Sequence, residues 1–340
     1  LRIYIAAGLF LMFVAGAARA DLLGHGGVVK GVAISPDGKH ALTASFDYSV
    51  MYWSLPDGTR EGRFDGHEGS VNAVTFLPDG ARAISGADDG TMILWSLAKG
   101  VALRKFTGHT GKIAAVAVSP DGKLAASAGW DRTIRLWNIE SGKTLRILKS
   151  GNTNFNAVAF SPDGSHLLSG AHDSSMHLWN VADGALLITI TGHDFAVNSV
   201  AFTPDGRQAI SGSVDETVRV WNLATGKEQA IWLGHAGPVI GIAISANGKL
   251  VASGGMDRIV RIWHLATGKI VHAMRGHEGP VWSLAFSSDG RLLLSAGADG
   301  LVRIWDVEYG APLGGEVTTT AMGGVGQDDS RGARLFRKCR

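Results

Sequence analysis

GHEGSVNAVTFLPDGARAISGADDGTMILW, residues 66–95, decides the fold. Its fixed points are Gly66-His67, a Pro78-Asp79-Gly80 turn, Ser85, Asp89 and Trp95. The same frame recurs 42 residues away in either direction, without an insertion. Tryptophan returns at Trp53, Trp95, Trp137, Trp179, Trp221, Trp263 and Trp305. Aspartate lies six residues before each, at Asp47, Asp89, Asp131, Asp173, Asp215, Asp257 and Asp299. A hydroxyl comes four residues earlier again, at Thr43, Ser85, Ser127, Ser169, Ser211, Ser253 and Ser295. Histidine follows glycine at His25, His67, His109, His193, His235 and His277, but the fourth slot is Ser150-Gly151. A fixed period of this length is the signature of stacked supersecondary units.

Each unit holds short strand-like runs separated by glycine turns. In the first run (Val29, Val32, Ile34; Phe155, Val158, Phe160) an apolar step of three precedes a step of two, which predicts a bulge before regular alternation. A Pro-Asp-Gly turn or its equivalent follows, as at Pro36-Asp37-Gly38, Pro120-Asp121-Gly122, Asn247-Gly248 and Asp289-Gly290. A second run (Leu167–Ser169, Leu292–Ser295), an alternating third (Thr217–Trp221) and a short fourth complete the unit. Four short strands repeated seven times predict an all-β fold, a seven-bladed β-propeller. One blade cannot bury both its faces, so the blades must stack.

Gly-His, then Ser, Asp and Trp at these offsets resembles the WD40 repeat, over about residues 22–318. Only the last copy has the literal Trp305-Asp306; the others read Trp-Ser, Trp-Asn or Trp-His. The resemblance implies hydrogen-bonded structural tetrads: His67, Ser85, Asp89 and Trp95; His109, Ser127, Asp131 and Trp137; His193, Ser211, Asp215 and Trp221; His235, Ser253, Asp257 and Trp263; His277, Ser295, Asp299 and Trp305. Their task would be to satisfy polar groups inside the blade, since a buried unpaired one costs about 1–3 kcal/mol. Blade four, with Gly151 for histidine, is expected to be the least stable locally. In this family the N-terminus usually supplies the outer strand of the last blade. Here only Asp21-Leu-Leu23 precede Gly24-His25, so Leu313–Thr318 is expected to complete blade seven from its own end.

Residues 1–20 read as a secretory signal: Arg2, an uncharged stretch from Ile3 to Ala18, and an Ala18-Arg19-Ala20 cleavage site before Asp21. Export to the periplasm is the expectation; left uncleaved, the segment would act as a membrane anchor. Residues 319–340 read as a linker and a basic tail, Arg331-Gly-Ala-Arg-Leu-Phe-Arg-Lys-Cys339-Arg340. Gly332, Leu335, Phe336 and Cys339 resemble the first helix of a class I cytochrome c domain leading into Cys-x-x-Cys-His. The second cysteine and the histidine are missing, so no cofactor is expected, and haem c only if a further domain follows. The alternative function is thus the propeller half of a c-type cytochrome fusion. Without the two ends the body holds 25 basic and 28 acidic residues, a net of −3, which gives no reason to expect nucleic acid. A single cysteine excludes a disulfide framework and a Cys-rich zinc site.

His, Ser and Asp in every unit invite a catalytic-triad reading. An enzyme needs one such constellation in a distinct cleft, whereas copies in equivalent blades describe architecture. The same holds for a His/Asp metal site, so no catalytic or metal residue is expected. The informative residues are those that vary while the scaffold repeats. By the resemblance, the top rim is lined three and five residues after the histidine slot and one before the aspartate. These positions hold Lys30, Asn72, Asn156, Asn198 and Trp282; Lys112; and Phe46, Trp130, His172 and Met256. Blades one and seven are neighbours in a closed ring, so Phe46 and Trp282 would share one apolar spot. Aromatic anchors ringed by Asn and Lys suit protein recognition; the plainer alternative is that they pack on adjacent loops. The expectation is a monomeric, non-catalytic scaffold that binds a protein or peptide, with no membrane contact beyond the signal segment.

Overall fold

The computed structural model describes residues 21–55 and 57–313. The expected signal (1–20) and the linker and cytochrome-like tail (319–340) lie outside them. Among the described residues twenty-eight strands, β1 to β28 in chain order, form seven four-stranded antiparallel sheets. The first blade is β1 (Val29–Ile34), β2 (His40–Ser45), β3 (Ser49–Ser54) and β4 (Arg60–Asp65), and the pattern repeats through the seventh. The inner strand of each blade packs on the next, and that of blade seven on β1, so the ring closes.

The expected bulge is present in every blade: the pairing of β1 with β2 slips between Val29 and Gly31, with counterparts such as Phe155/Ala157 and Val281/Ser283. The middle strands are almost wholly buried, because each lies under two neighbouring blades. The outer strands are exposed except for one apolar residue each. The core lies between blades: Leu42, Val50 and Phe64 of blade one enclose Val71, Ile93 and Trp95 of blade two. The seven period tryptophans are all buried in such interfaces, where removing the indole would cost about 3–5 kcal/mol.

Closure corrects the expectation that blade seven is finished from its own end. β28 is only Ala311–Pro312, paired with Trp305 and Asp306 at one end of β27 (Val302–Asp306). At the other end Leu22 takes over: its N–H donates to the Val302 carbonyl at 2.9 Å, and Asp21 accepts from Arg303 at 2.9 Å. The outer strand is therefore shared by both ends of the chain. Leu22 occupies the same register as the buried plugs Phe64, Phe106, Leu148, Ile190, Trp232 and Met274, and is itself only 2% exposed. From the chain's own end Leu313 adds a further bond, its N–H donating to the Ile304 carbonyl at 2.8 Å. Residues 314–318 of the expected strand lie outside the described residues.

Candidate functional site

Two sets of polar residues converge in each blade, and they differ in accessibility. The first is interior. In blade two Trp95 Nε1 donates to Ser85 Oγ at 2.8 Å, Ser85 donates to His67 Nε2 at 2.7 Å, and His67 Nδ1 donates to Asp89 at 3.1 Å. The order of donors follows from the carboxylate, which can only accept and so fixes the proton on Nδ1; the neutral ring then accepts at Nε2, and the hydroxyl donates there while accepting from the indole. The relay is repeated around His25, His109, His193, His235 and His277, with 2.6–2.7 Å between imidazole and hydroxyl in each. Burial pushes all six imidazoles below the ordinary histidine value, against the pull of the aspartate, so they are neutral at pH 7. Burial alone would raise the partner carboxyls. Hydrogen bonds outweigh it: for Asp89 these come from the Glu68 and Thr91 N–H groups and the Thr91 hydroxyl, and its carboxyl lies below the usual range. The five imidazole–hydroxyl–carboxylate sets of blades two, three, five, six and seven have imidazoles at most 1% exposed, with no room for a substrate.

An arginine two residues before the tryptophan extends some of these relays. Arg219 reaches Asp215 at 3.2 Å and Glu228 at 2.8 Å, and Arg261 reaches Asp257 at 2.6 Å. The sequence reading missed them, although arginine recurs at that offset in blades three, five, six and seven.

The second set is the rim. Lys30, Asn72, Lys112, Trp130, Asn156, Asn198, Met256 and Trp282 line one depression of about 440 Å³ over the ring's mouth, together with Ala114, Pro238 and Ile240. It continues into a narrower space of about 200 Å³ between the inner strands. Phe46 and His172 stand just outside. Phe46 is 39% exposed, Trp130 41% and Met256 48%; single exposed apolar side chains occur elsewhere on this surface, and what marks these is that they gather at one mouth.

Phe46 and Trp282 do share one spot, but through a cation: the Lys30 ammonium sits 4.7 Å from each ring centre. Lys112 caps Trp130 at 3.4 Å, and His172 meets the same indole edge-on at 6.3 Å. Such cation–π contacts are worth about 0.5–2 kcal/mol and hold the rings upright. The asparagines have a structural duty that the sequence did not reveal. Asn72, Asn156 and Asn198 donate through Nδ2 to the carbonyls of Ile113, Val197 and Val239 in the next blade, at 2.8, 3.2 and 2.9 Å. They tie the ring together at the mouth. The Asn156 carbonyl also accepts from Trp130 Nε1 at 3.2 Å, so this tie positions an anchor.

A closed ring of seven blades with interior relays and a varied aromatic mouth defines a repeat propeller built to present a surface. The profile of the WD40 repeat (WD domain, G-beta repeat) matches residues 17–54, 58–96, 100–138, 142–180, 184–222, 226–264 and 268–306. The chain belongs to the WD40 repeat family. Each match starts near the outer strand of the preceding blade, and the first one spans Leu22, the residue that closes the ring. Comparison with curated proteins gave no match.

Proposed function

We propose that the protein is a non-catalytic interaction scaffold that holds a protein or peptide segment over the mouth of the ring. WD40 propellers are typically interaction scaffolds. The observation that carries the reading here is the aromatic depression, formed by positions that vary from blade to blade while everything beneath them repeats. Fixed aromatic rings bounded by polar groups lose little entropy on binding and make effective anchors. The interior His–Ser–Asp sets are sealed, which supports an absence of chemistry.

The proposal places the protein in the periplasm, on the strength of its signal-like first 20 residues. Cleavage before Asp21 would leave Asp21 and Leu22 on the mature chain, and both serve in closure. We propose a monomer with a protein partner; the near-neutral body gives no electrostatic pull toward nucleic acid. The one cysteine, Cys339, does not supply the pair of thiols that haem attachment requires, so the cytochrome-fusion reading rests on the sequence of the tail alone.

Trp130→Ala and Trp282→Ala test the reading. Capture of partners from periplasmic extract is expected to fall away in both, while thermal melting shifts by no more than the few degrees that partly exposed side chains carry. Undiminished capture would remove the rim assignment.

A further inference from the structure

The mouth carries an unbalanced charge. Lys30 and Lys112 both line the depression, and neither forms an ion pair among the described residues. Their ammonium groups rest on aromatic faces, which attract a cation but do not neutralise it. Burial draws Lys30 below the ordinary lysine value, and the charge of Lys112 adds to that repulsion. One carboxylate, Asp88, acts on Lys30, and Asn72 bridges the two: its Oδ1 accepts from the Lys30 ammonium at 3.4 Å and its Nδ2 donates to Asp88 Oδ1 at 2.7 Å, so two ammonium groups face a single acid. The amide N–H groups of Asn72, Asn156 and Asn198 are turned to the neighbouring blades, so they do not compete for a ligand. The depression thus offers two ammonium groups beside the apolar surfaces of Ile240, Met256 and Trp130.

We propose that the mouth selects an acidic segment, in which an Asp or Glu carboxylate seats against Lys30 and Lys112 while a neighbouring apolar side chain lies on the aromatic floor. This rests on the top-face reading above and gives it a chemistry. A carboxylate relieves the lysine–lysine repulsion, and the bonds it accepts are charge-assisted. A basic segment would meet like charge in a partly desolvated site, which is a means of exclusion.

Random dodecapeptides displayed on phage and selected on the full chain provide the test. Enriched peptides are expected to carry Asp or Glu next to an apolar residue. For the synthetic winners, Asp→Asn or Glu→Gln in the peptide, or Lys112→Gln in the protein, is expected to weaken binding about tenfold. Asp88→Asn is expected to tighten it, and melting of Lys112→Gln guards against a folding defect. Winners without acidic residues, or whose binding survives the amide replacement while Trp130→Ala still abolishes it, overturn the acidic selectivity and leave the top-face reading standing. Winners indifferent to Trp130→Ala, or no enrichment at all, overturn the top-face reading and this proposal with it.

Discussion

Blade four and its six neighbours are built from the same period, yet only the six have a complete relay. In blade four Gly151 replaces the histidine, and a Cβ there would meet nothing within 4 Å, because the loop has swung away. The Thr153 hydroxyl instead accepts from the Asp173 N–H at 3.1 Å. The apolar role of the lost ring passes to His177, whose imidazole lies 5.6 Å from Trp179, as close as any tetrad imidazole lies to its tryptophan. The polar role does not pass. His177 Nε2 is 3.5 Å from Ser175, its Nδ1 has no partner, and Ser169 keeps one strong bond, from Trp179 at 3.0 Å. The difference teaches that a blade needs its central ring for packing more than for hydrogen bonding, and that the missing bonds are a local weakness.

The largest expected effect comes from acid. The six tetrad imidazoles and His177 are all held below the ordinary histidine value by burial, while the unfolded chain takes up protons near pH 6.5. Over that window the unfolded state binds more protons, so stability is full above about pH 6.5 and falls as pH drops below it, by up to about 1.4 kcal/mol per pH unit for each imidazole. Below about pH 4 the tetrad carboxyls whose values are lowered, such as Asp89 and Asp131, add to the loss as they protonate. Urea midpoints between pH 8 and 4 check this, and a flat profile would contradict it.

A smaller effect separates the two kinds of blade. Ser85→Ala strands an indole N–H and an imidazole nitrogen and is expected to cost about 2–3 kcal/mol, whereas Ser169→Ala strands only an indole and is expected to cost about 1. Hydrogen exchange of the unaltered protein should be fastest in blade four; equal protection throughout would show that His177 repairs the site fully. The smallest effect has the opposite sign. His177→Ile installs the residue type that Ile93 provides in blade two, removes a buried unpaired nitrogen, and is expected to be neutral or to stabilise by up to about 1 kcal/mol in thermal melting.

Most of this architecture was legible because it repeats. The period, the strand order, the first bulge and the tetrad positions need only one blade to be understood. What escaped depends on contacts between blades or between chain ends. Leu22 was visible in principle: an apolar residue stands three before each histidine slot, from Leu22 through Phe64 to Met274. The rule that a strand needs several residues hid it. The register slip beside the tryptophan of blades one to six, as between Tyr52 and Trp53, was missed because it leaves no break in the apolar pattern. At the mouth the sequence named the lining residues, yet the asparagine ties, such as Asn198 to Val239, and the stack of Lys30 on Trp282 join positions about one full period apart or more. Packing of neighbouring blades makes the ties, and closure of the ring makes the Lys30–Trp282 stack.

The central claim is a division of labour, with sealed relays holding the ring and the open mouth receiving a partner. Melting and partner binding measured side by side on His67→Ala and Trp130→Ala test it most directly. The account predicts that His67→Ala melts lower yet binds normally while still folded, and that Trp130→Ala melts almost as the parent does but no longer binds. Binding that follows stability in both variants would contradict it.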